Sequence, residues 1–203
     1  MSARLISFDT ETTGLDFSAG DRVIEIGCVE IIGREKTGNE FQTYINPEGK
    51  EISQEAQEIT NISPEQLNEA PKFKDVVDKF IDFVKGAELV IHNAEFDIGF
   101  INNELALNNI AERVEDYAAK ITDTLLMARQ IHPGQRNCLE VLTERYNVQG
   151  YDRSYHGALV DSKILGEVYL SMTGGQTDLK LAPSVQNSLN PKINKVDGTK
   201  SLL

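Results

Sequence analysis

Three runs rich in Val, Ile, Phe and Tyr lie within the first 46 residues: Arg4 to Thr10, Arg22 to Ile32 and Glu40 to Asn46. Such residues fit the pleated, half-buried surface of a sheet. Gly33 to Asn39 reads as a turn between the last two runs, so the segment predicts an antiparallel meander. Helices follow. Ser63-Pro64-Glu65-Gln66 places a capping serine before a proline at the first helical position, with a glutamine three residues after the cap. Val76, Val77, Phe80, Ile81 and Val84 recur at helical spacing within Asp75 to Lys85, and Gly86 ends that helix. Glu88 to His92 reads as a short buried strand and Phe96 to Leu107 as an amphipathic helix. Asn137-Cys138-Leu139-Glu140 repeats the capping-box pattern, and Ala158 to Leu170 is a last long helix. A strand meander followed by alternating helix and strand, with no internal repeat, points to a mixed-sheet α/β domain.

With 203 residues, 40% of them apolar, the chain has enough material for one domain, 1–175, and a tail. No window is apolar for long enough to span a membrane, and Met1-Ser2-Ala3-Arg4 lacks the apolar run of a signal peptide, so a cytoplasmic protein is expected. Cys28 and Cys138 each sit among apolar neighbours, which reads as core packing rather than a disulfide or a zinc site. Beyond Gly174 the composition turns to Asn, Ser, Lys and Pro, so residues 182–203 are expected to be flexible. Net charge is -12, and the segment after Gly175 holds four lysines and two aspartates, which leaves -14 on residues 1–175. A protein that grips nucleic acid unaided usually has a basic footprint. This one has none overall, so a nucleic-acid substrate would be held locally, through metal ions, and delivered by a partner.

The acids supply the chemistry. Ser7-Phe8-Asp9-Thr10-Glu11-Thr12-Thr13-Gly14 ends the first strand with two carboxylates, and residues two apart on a strand face the same way. Asp97 follows the buried strand in His92-Asn93-Ala94-Glu95-Phe96-Asp97, where the end of a sheet opens. Alone it would read as a helix cap. Asp161 lies among Leu159, Val160, Ile164 and Leu165, and no Arg or Lys stands one helical turn before it. Burial of an unpaired carboxylate is costly and favours a proton, a partner or a metal. His156, five residues earlier, would point about 140° away on a continuous helix, so it must lie on the preceding loop to share a site with Asp161. Four carboxylates in one pocket need cations, and hard oxygen donors without cysteine suit two Mg²⁺ or Mn²⁺ ions. Two such ions would clamp the attacking and leaving oxygens of an in-line displacement, while a histidine takes the proton of the attacking water.

The residues SFDTETTGL, RVIEIGCVEI, ELVIHNAEFDIGF, DTLLMARQIHPGQRNCLEVLTERY, HGALVDSKILGEVYL and MTGGQT resemble the DEDDh, or DnaQ-like, 3′-to-5′ exonucleases across nearly all of 4–181. Within that family they are similar to its proofreading branch, which works beside the replicative DNA polymerase III of bacteria. The resemblance implies a ribonuclease H-like fold. Asp9, Glu11, Asp97 and Asp161 would be the metal ligands and His156 the general base. Thr10, Thr12 and Leu15, with His92 and Phe96, would hold the terminal nucleotide of a DNA 3′ end. His132, before Pro133-Gly134, reads as loop. The same resemblance implies that Gln176-Thr177-Asp178-Leu179-Lys180-Leu181 binds the beta sliding clamp, with Gln176 hydrogen-bonded and Leu179 and Leu181 in an apolar pocket. It further implies that 182–203 runs toward the polymerase alpha subunit and that a theta-like accessory subunit could join. Tethering beside a polymerase substitutes local concentration for intrinsic affinity. RNA 3′-end trimming and a non-catalytic scaffold are the alternative readings.

Overall fold

The structure, a computed structural model, describes residues 3–174. The readings for 176–181 and 182–203 lie outside the described residues. Three antiparallel strands come first: β1 (Arg4–Thr12), β2 (Val23–Ile32) and β3 (Glu35–Tyr44), with a short 3-10 turn at Phe17–Ala19. Then come α1 (Gln54–Thr60), α2 (Pro64–Glu69), α3 (Phe73–Val84), β4 (Glu88–Ile91), α4 (Ala94–Leu107) and α5 (Val114–Tyr117). The series closes with β5 (Lys120–Asp123), α6 (Thr124–Ile131), α7 (Leu139–Arg145) and α8 (Ala158–Gly174). The sheet order is β3-β2-β1-β4-β5, antiparallel across the meander and parallel from β1 through β4 to β5. This is the mixed sheet expected from the sequence.

Alternation along β1 divides its side chains between two layers. Ile6 and Phe8 are buried with Phe73, Phe80, Ile98 and Ile101 of α3 and α4. Leu5 packs with Val90, Ile164, Leu165 and Val168 on the opposite side, under α8. There α8 crosses the sheet very closely. A Cβ on Gly27 of β2 would lie 2.2 Å from the Ala158 carbonyl carbon, and one on Gly166 would lie 3.2 Å from Ser7 Oγ. Ser162 Oγ donates to the Gly27 carbonyl at 2.8 Å, and the Ala158 N–H donates to Glu25 Oε2 at 3.1 Å.

Several expected boundaries shift. The turn assigned to Gly33 to Asn39 is only Gly33-Arg34, at φ 62° and 71°, and β3 starts at Glu35. A two-residue turn with both φ positive matches strand twist, and the polar stretch that followed it belongs to an exposed edge strand. The helix expected from Asp75 begins at Phe73, with Lys72 as its cap, and the one expected from Phe96 begins at Ala94 after a left-handed Asn93. Asn137 does not cap α7: Cys138 holds that position, and Asn137 Nδ2 donates to the His132 and Gln135 carbonyls instead. Cys28 is a buried core residue, but Cys138 is exposed, contrary to the core reading for both; both are free thiols. The Ser63-Pro64 start is found as expected, with the Gln66 N–H donating to Ser63 Oγ at 3.2 Å. Among the described residues no helix is long and apolar enough to cross a membrane.

Candidate active site

The alternation that sends Ile6 and Phe8 to one layer sends Asp9 and Glu11 to the other, beneath the start of α8. Thr10, between them, faces α4. Its N–H and Oγ1 both donate to Asp97 Oδ1, at 3.0 and 2.6 Å, and so fix the acid from α4 against the acids of β1. Asp97 is buried in the first turn of α4, and Asp123, at the end of β5, accepts from the Ala94 N–H at 3.1 Å and anchors that turn. Asp161 is buried in the first turn of α8. His156 lies on the loop before α8, as its spacing from Asp161 required. Its N–H donates to the Ile59 carbonyl at 2.9 Å, and its Nδ1 lies 3.3 Å from Asp161 Oδ2.

Asp9, Glu11, Asp97, Asp161 and His156 all line one cavity of about 290 Å³. The residue that sequence reasoning missed is Arg153. It also lines this cavity, and its Nε and Nη2 donate to the two Asp161 oxygens at 2.6 and 2.8 Å. No Arg or Lys stands one helical turn before Asp161, as the sequence indicated, yet the carboxylate does have a cationic partner. The partner comes from a loop eight positions earlier, where helical spacing gives no signal, and only the folded path of 151–157 brings it round.

Electrostatics follow from this crowding. Burial, then the charges of Asp97, Glu11 and Asp161, push Asp9 well above the usual carboxylate range. Glu11 is raised to about 8 by burial, with Asp161, Glu25 and Asp97 adding to it. Burial raises Asp97 to about 7 even though Thr10 hydrogen-bonds its anion. Asp161 goes the other way: burial is outweighed by the hydrogen bonds from His156 and Arg153, which hold it below the ordinary value. The pocket is thus short of positive charge. Ligand atoms of Glu11, His156 and Asp161 all lie within 4.8 Å of one another, and no cysteine or methionine sulfur competes except the exposed Cys138 at the rim. A cluster of hard oxygen donors with unmet charge fits divalent cations.

The residues expected to hold a nucleotide divide into two groups. Thr10, Thr12, Leu15 and Phe96 line a second cavity of about 660 Å³, with Glu11 on the wall it shares with the acid pocket. Ile59 and Ala56 of α1, an unpredicted helix, complete its apolar side. Leu15 is 85% exposed at the rim, a large apolar side chain with little to cover it. Thr12 Oγ1 donates to the Gly14 carbonyl at 2.6 Å and shapes the turn that presents Leu15. His92 stands on the other flank, Nδ1 3.0 Å from Thr124 Oγ1, and burial lowers its pKa. His132 is apart from the site, its Nε2 2.8 Å from the Tyr146 hydroxyl.

Comparison with known proteins bears on the family and the fold. A sequence model described as an exonuclease family (RNase_T) matches residues 6–169. The chain is 46% identical over 183 residues to DNA polymerase III subunit epsilon of Salmonella typhimurium, covering 88% of this chain and 75% of that one. It is 45% identical over 183 residues to the Escherichia coli K12 protein of the same name, with the same coverage. The nuclease domain of 3′hExo, a DEDDh family member bound to rAMP, superposes with a TM-score of 0.73 at 21% identity, over 86% of this chain and 93% of that one. Exonuclease X, solved with 5′ overhanging duplex DNA, gives 0.64 at 22% identity, over 84% and 92%. These two likenesses establish the shared ribonuclease H-like fold.

Proposed function

Because the chain belongs to the exonuclease family, we propose that it is the 3′-to-5′ proofreading subunit of a bacterial DNA polymerase III, releasing 3′-terminal nucleotides as 5′-monophosphates. The observation that carries the reading is the convergence of Asp9, Glu11, Asp97 and Asp161, from β1, α4 and α8, on one cavity beside His156. Those four acids would hold two divalent cations, Mg²⁺ or Mn²⁺. When bound, these neutralise the acids and stabilise the charge that develops on the attacking and leaving oxygens. Arg153 must release at least part of Asp161 for that carboxylate to serve as a ligand. His156, on its loop at the mouth of the pocket, takes the proton from the attacking water as general base.

The terminal base would enter the apolar cavity, against Phe96 and under Leu15, with Thr12 shaping the rim. Thr10 contributes by holding Asp97, since its N–H and hydroxyl are both committed to that carboxylate. His92 would border the strand on the opposite flank. A cytoplasmic replicase setting, with the alpha subunit, the beta clamp engaged through Gln176, Leu179 and Leu181, and a theta-like subunit, completes the proposal. Four mutually repelling carboxylates would be a liability in a pure scaffold.

The test is digestion of a 3′-labelled primer, paired or mismatched at its end, with and without Mg²⁺, beside an RNA strand of the same sequence. Metal-dependent release of deoxynucleoside 5′-monophosphates, faster from the mismatched end than from RNA, is expected. No release would overturn the enzymatic assignment, and strong preference for RNA would overturn the proofreading role.

A further inference from the structure

Next to the acid pocket, and sharing no lining residue with the apolar cavity, lies a cleft of about 580 Å³ at the junction of α4, α6 and the loop into α7. It shares His92 and Cys138 with the acid pocket, so the two are continuous. Its lining contains Arg129, Arg136, Gln135 and Asn137 and no carboxylate. That is unusual for a chain of net charge -12.

The two arginines differ from the rest. Arg4, Arg22, Arg34, Arg113, Arg145 and Arg153 each donate to a protein oxygen. Among the described residues, Arg129 and Arg136 have no such oxygen; Arg136 reaches only Cys138 Sγ, at 3.9 Å. Both are exposed, Arg129 on α6 and Arg136 on the loop into α7, and both line the cleft. Here the fold leaves two arginines lining a groove that has no carboxylate. A guanidinium fork matches the oxygens of a phosphate.

We propose that this cleft carries the phosphodiester backbone of the substrate strand 5′ to the scissile bond, with Arg129 and Arg136 each engaging a phosphate. The inference rests on the exonuclease reading and adds a direction to it. The terminal base lies in the apolar cavity, the scissile phosphate over the acids, and the retained strand runs past His92 and Cys138 between α6 and the α6–α7 loop. Backbone contacts of this kind carry no base information, as an editing site that must accept any terminal nucleotide requires.

The test uses the full chain and the variants Arg129→Ala and Arg136→Ala, singly and together, with Arg113→Ala as a control for lost surface charge. Two substrates are compared: a single-stranded DNA of about ten nucleotides, and the p-nitrophenyl ester of thymidine 5′-monophosphate, whose one phosphodiester has no neighbour. The double variant should raise KM for the strand about tenfold, with kcat and the melting temperature little altered, and should spare the ester. The slope of log affinity against log salt should fall by about 1.4 in magnitude, at about 0.7 per phosphate contact on a single strand. Unchanged strand KM and salt slope in a double variant that still cleaves the ester would overturn the cleft assignment alone. Equal losses on both substrates would also overturn it, because they would place the arginines at the terminal nucleotide. A parent protein that cleaves neither substrate would overturn the exonuclease reading itself.

Discussion

Without metal, the acid pocket should weaken the fold as pH rises, and Glu11 gives the size of the effect. Its carboxyl moves from an ordinary 4.5 to about 8 in the folded protein, driven first by burial. Between those values the folded form keeps a proton that the unfolded chain has lost. The stabilisation is therefore complete below about pH 4.5 and disappears as pH passes 8. At about 1.36 kcal/mol per pH unit, that span corresponds to about 5 kcal/mol for a group wholly withdrawn from water. Glu11 keeps part of its surface open to solvent, and screening brings the figure to about 2 kcal/mol. For a domain of this size the melting temperature should drop by about 4–8 °C. Glu11→Gln cannot ionise and should flatten the dependence. Thermal melts in EDTA at pH 5 and pH 9 read the difference directly: the parent should lose several degrees more than the variant, and Mg²⁺ at pH 9 should restore more of the parent's stability. Parallel pH curves for the two proteins would refute the reasoning, because they would mean that Glu11 is not held in a crowded, dehydrated acid cluster.

His156→Ala should lower kcat by about 10²- to 10⁴-fold while the Kd for a single strand, measured by anisotropy without turnover, changes little; equal losses would remove it from the proton-transfer role. Arg153→Ala should lower the melting temperature in EDTA yet enlarge the rise produced by Mg²⁺, since the variant's Asp161 is no longer bridged by a guanidinium; a smaller metal-induced rise would contradict the competition. Gly27→Ala should cost about 1–3 kcal/mol or more by overpacking, because the added Cβ would meet the Ala158 backbone at 2.2 Å. Its activity should drop even at temperatures where it stays folded, as measured by turnover alongside circular dichroism, and full activity in the folded variant would show that α8 can shift without moving Asp161.

Much of this architecture could be read before folding because the signals were local. The alternation at Asp9 and Glu11, the Ser63-Pro64 cap and the apolar repeat of α3 each depend on neighbours within a turn or a strand. The loop position of His156 followed from helical geometry once the residue was required to share a site with Asp161. What could not be read depended on partners far along the chain. Arg153 meets Asp161 only because the loop before α8 doubles back, and Thr10, expected at the nucleotide, is claimed by Asp97, 87 positions away. The short elements β5, α1, α5 and α6 carried too few periodic residues to stand out, and the first half of β3 reads as turn because an edge strand exposed to water looks polar. Cys138 had apolar neighbours in sequence, but it stands exposed at the end of a loop.

The close crossing of α8 over β1 and β2 also bears on when the protein becomes dangerous to its own substrate. The bond from Ser162 to Gly27 joins residues 135 positions apart, and the helix that makes it is the last element of the described domain. A nascent chain that has emerged through α7 already displays Asp9, Glu11 and Asp97, but it has neither Asp161 nor a seated His156. Pairing across such a separation comes late, because loop closure must be completed before the contact is rewarded. An unfinished or truncated polypeptide would therefore be harmless to DNA ends, with cutting competence switched on only once synthesis has run through α8.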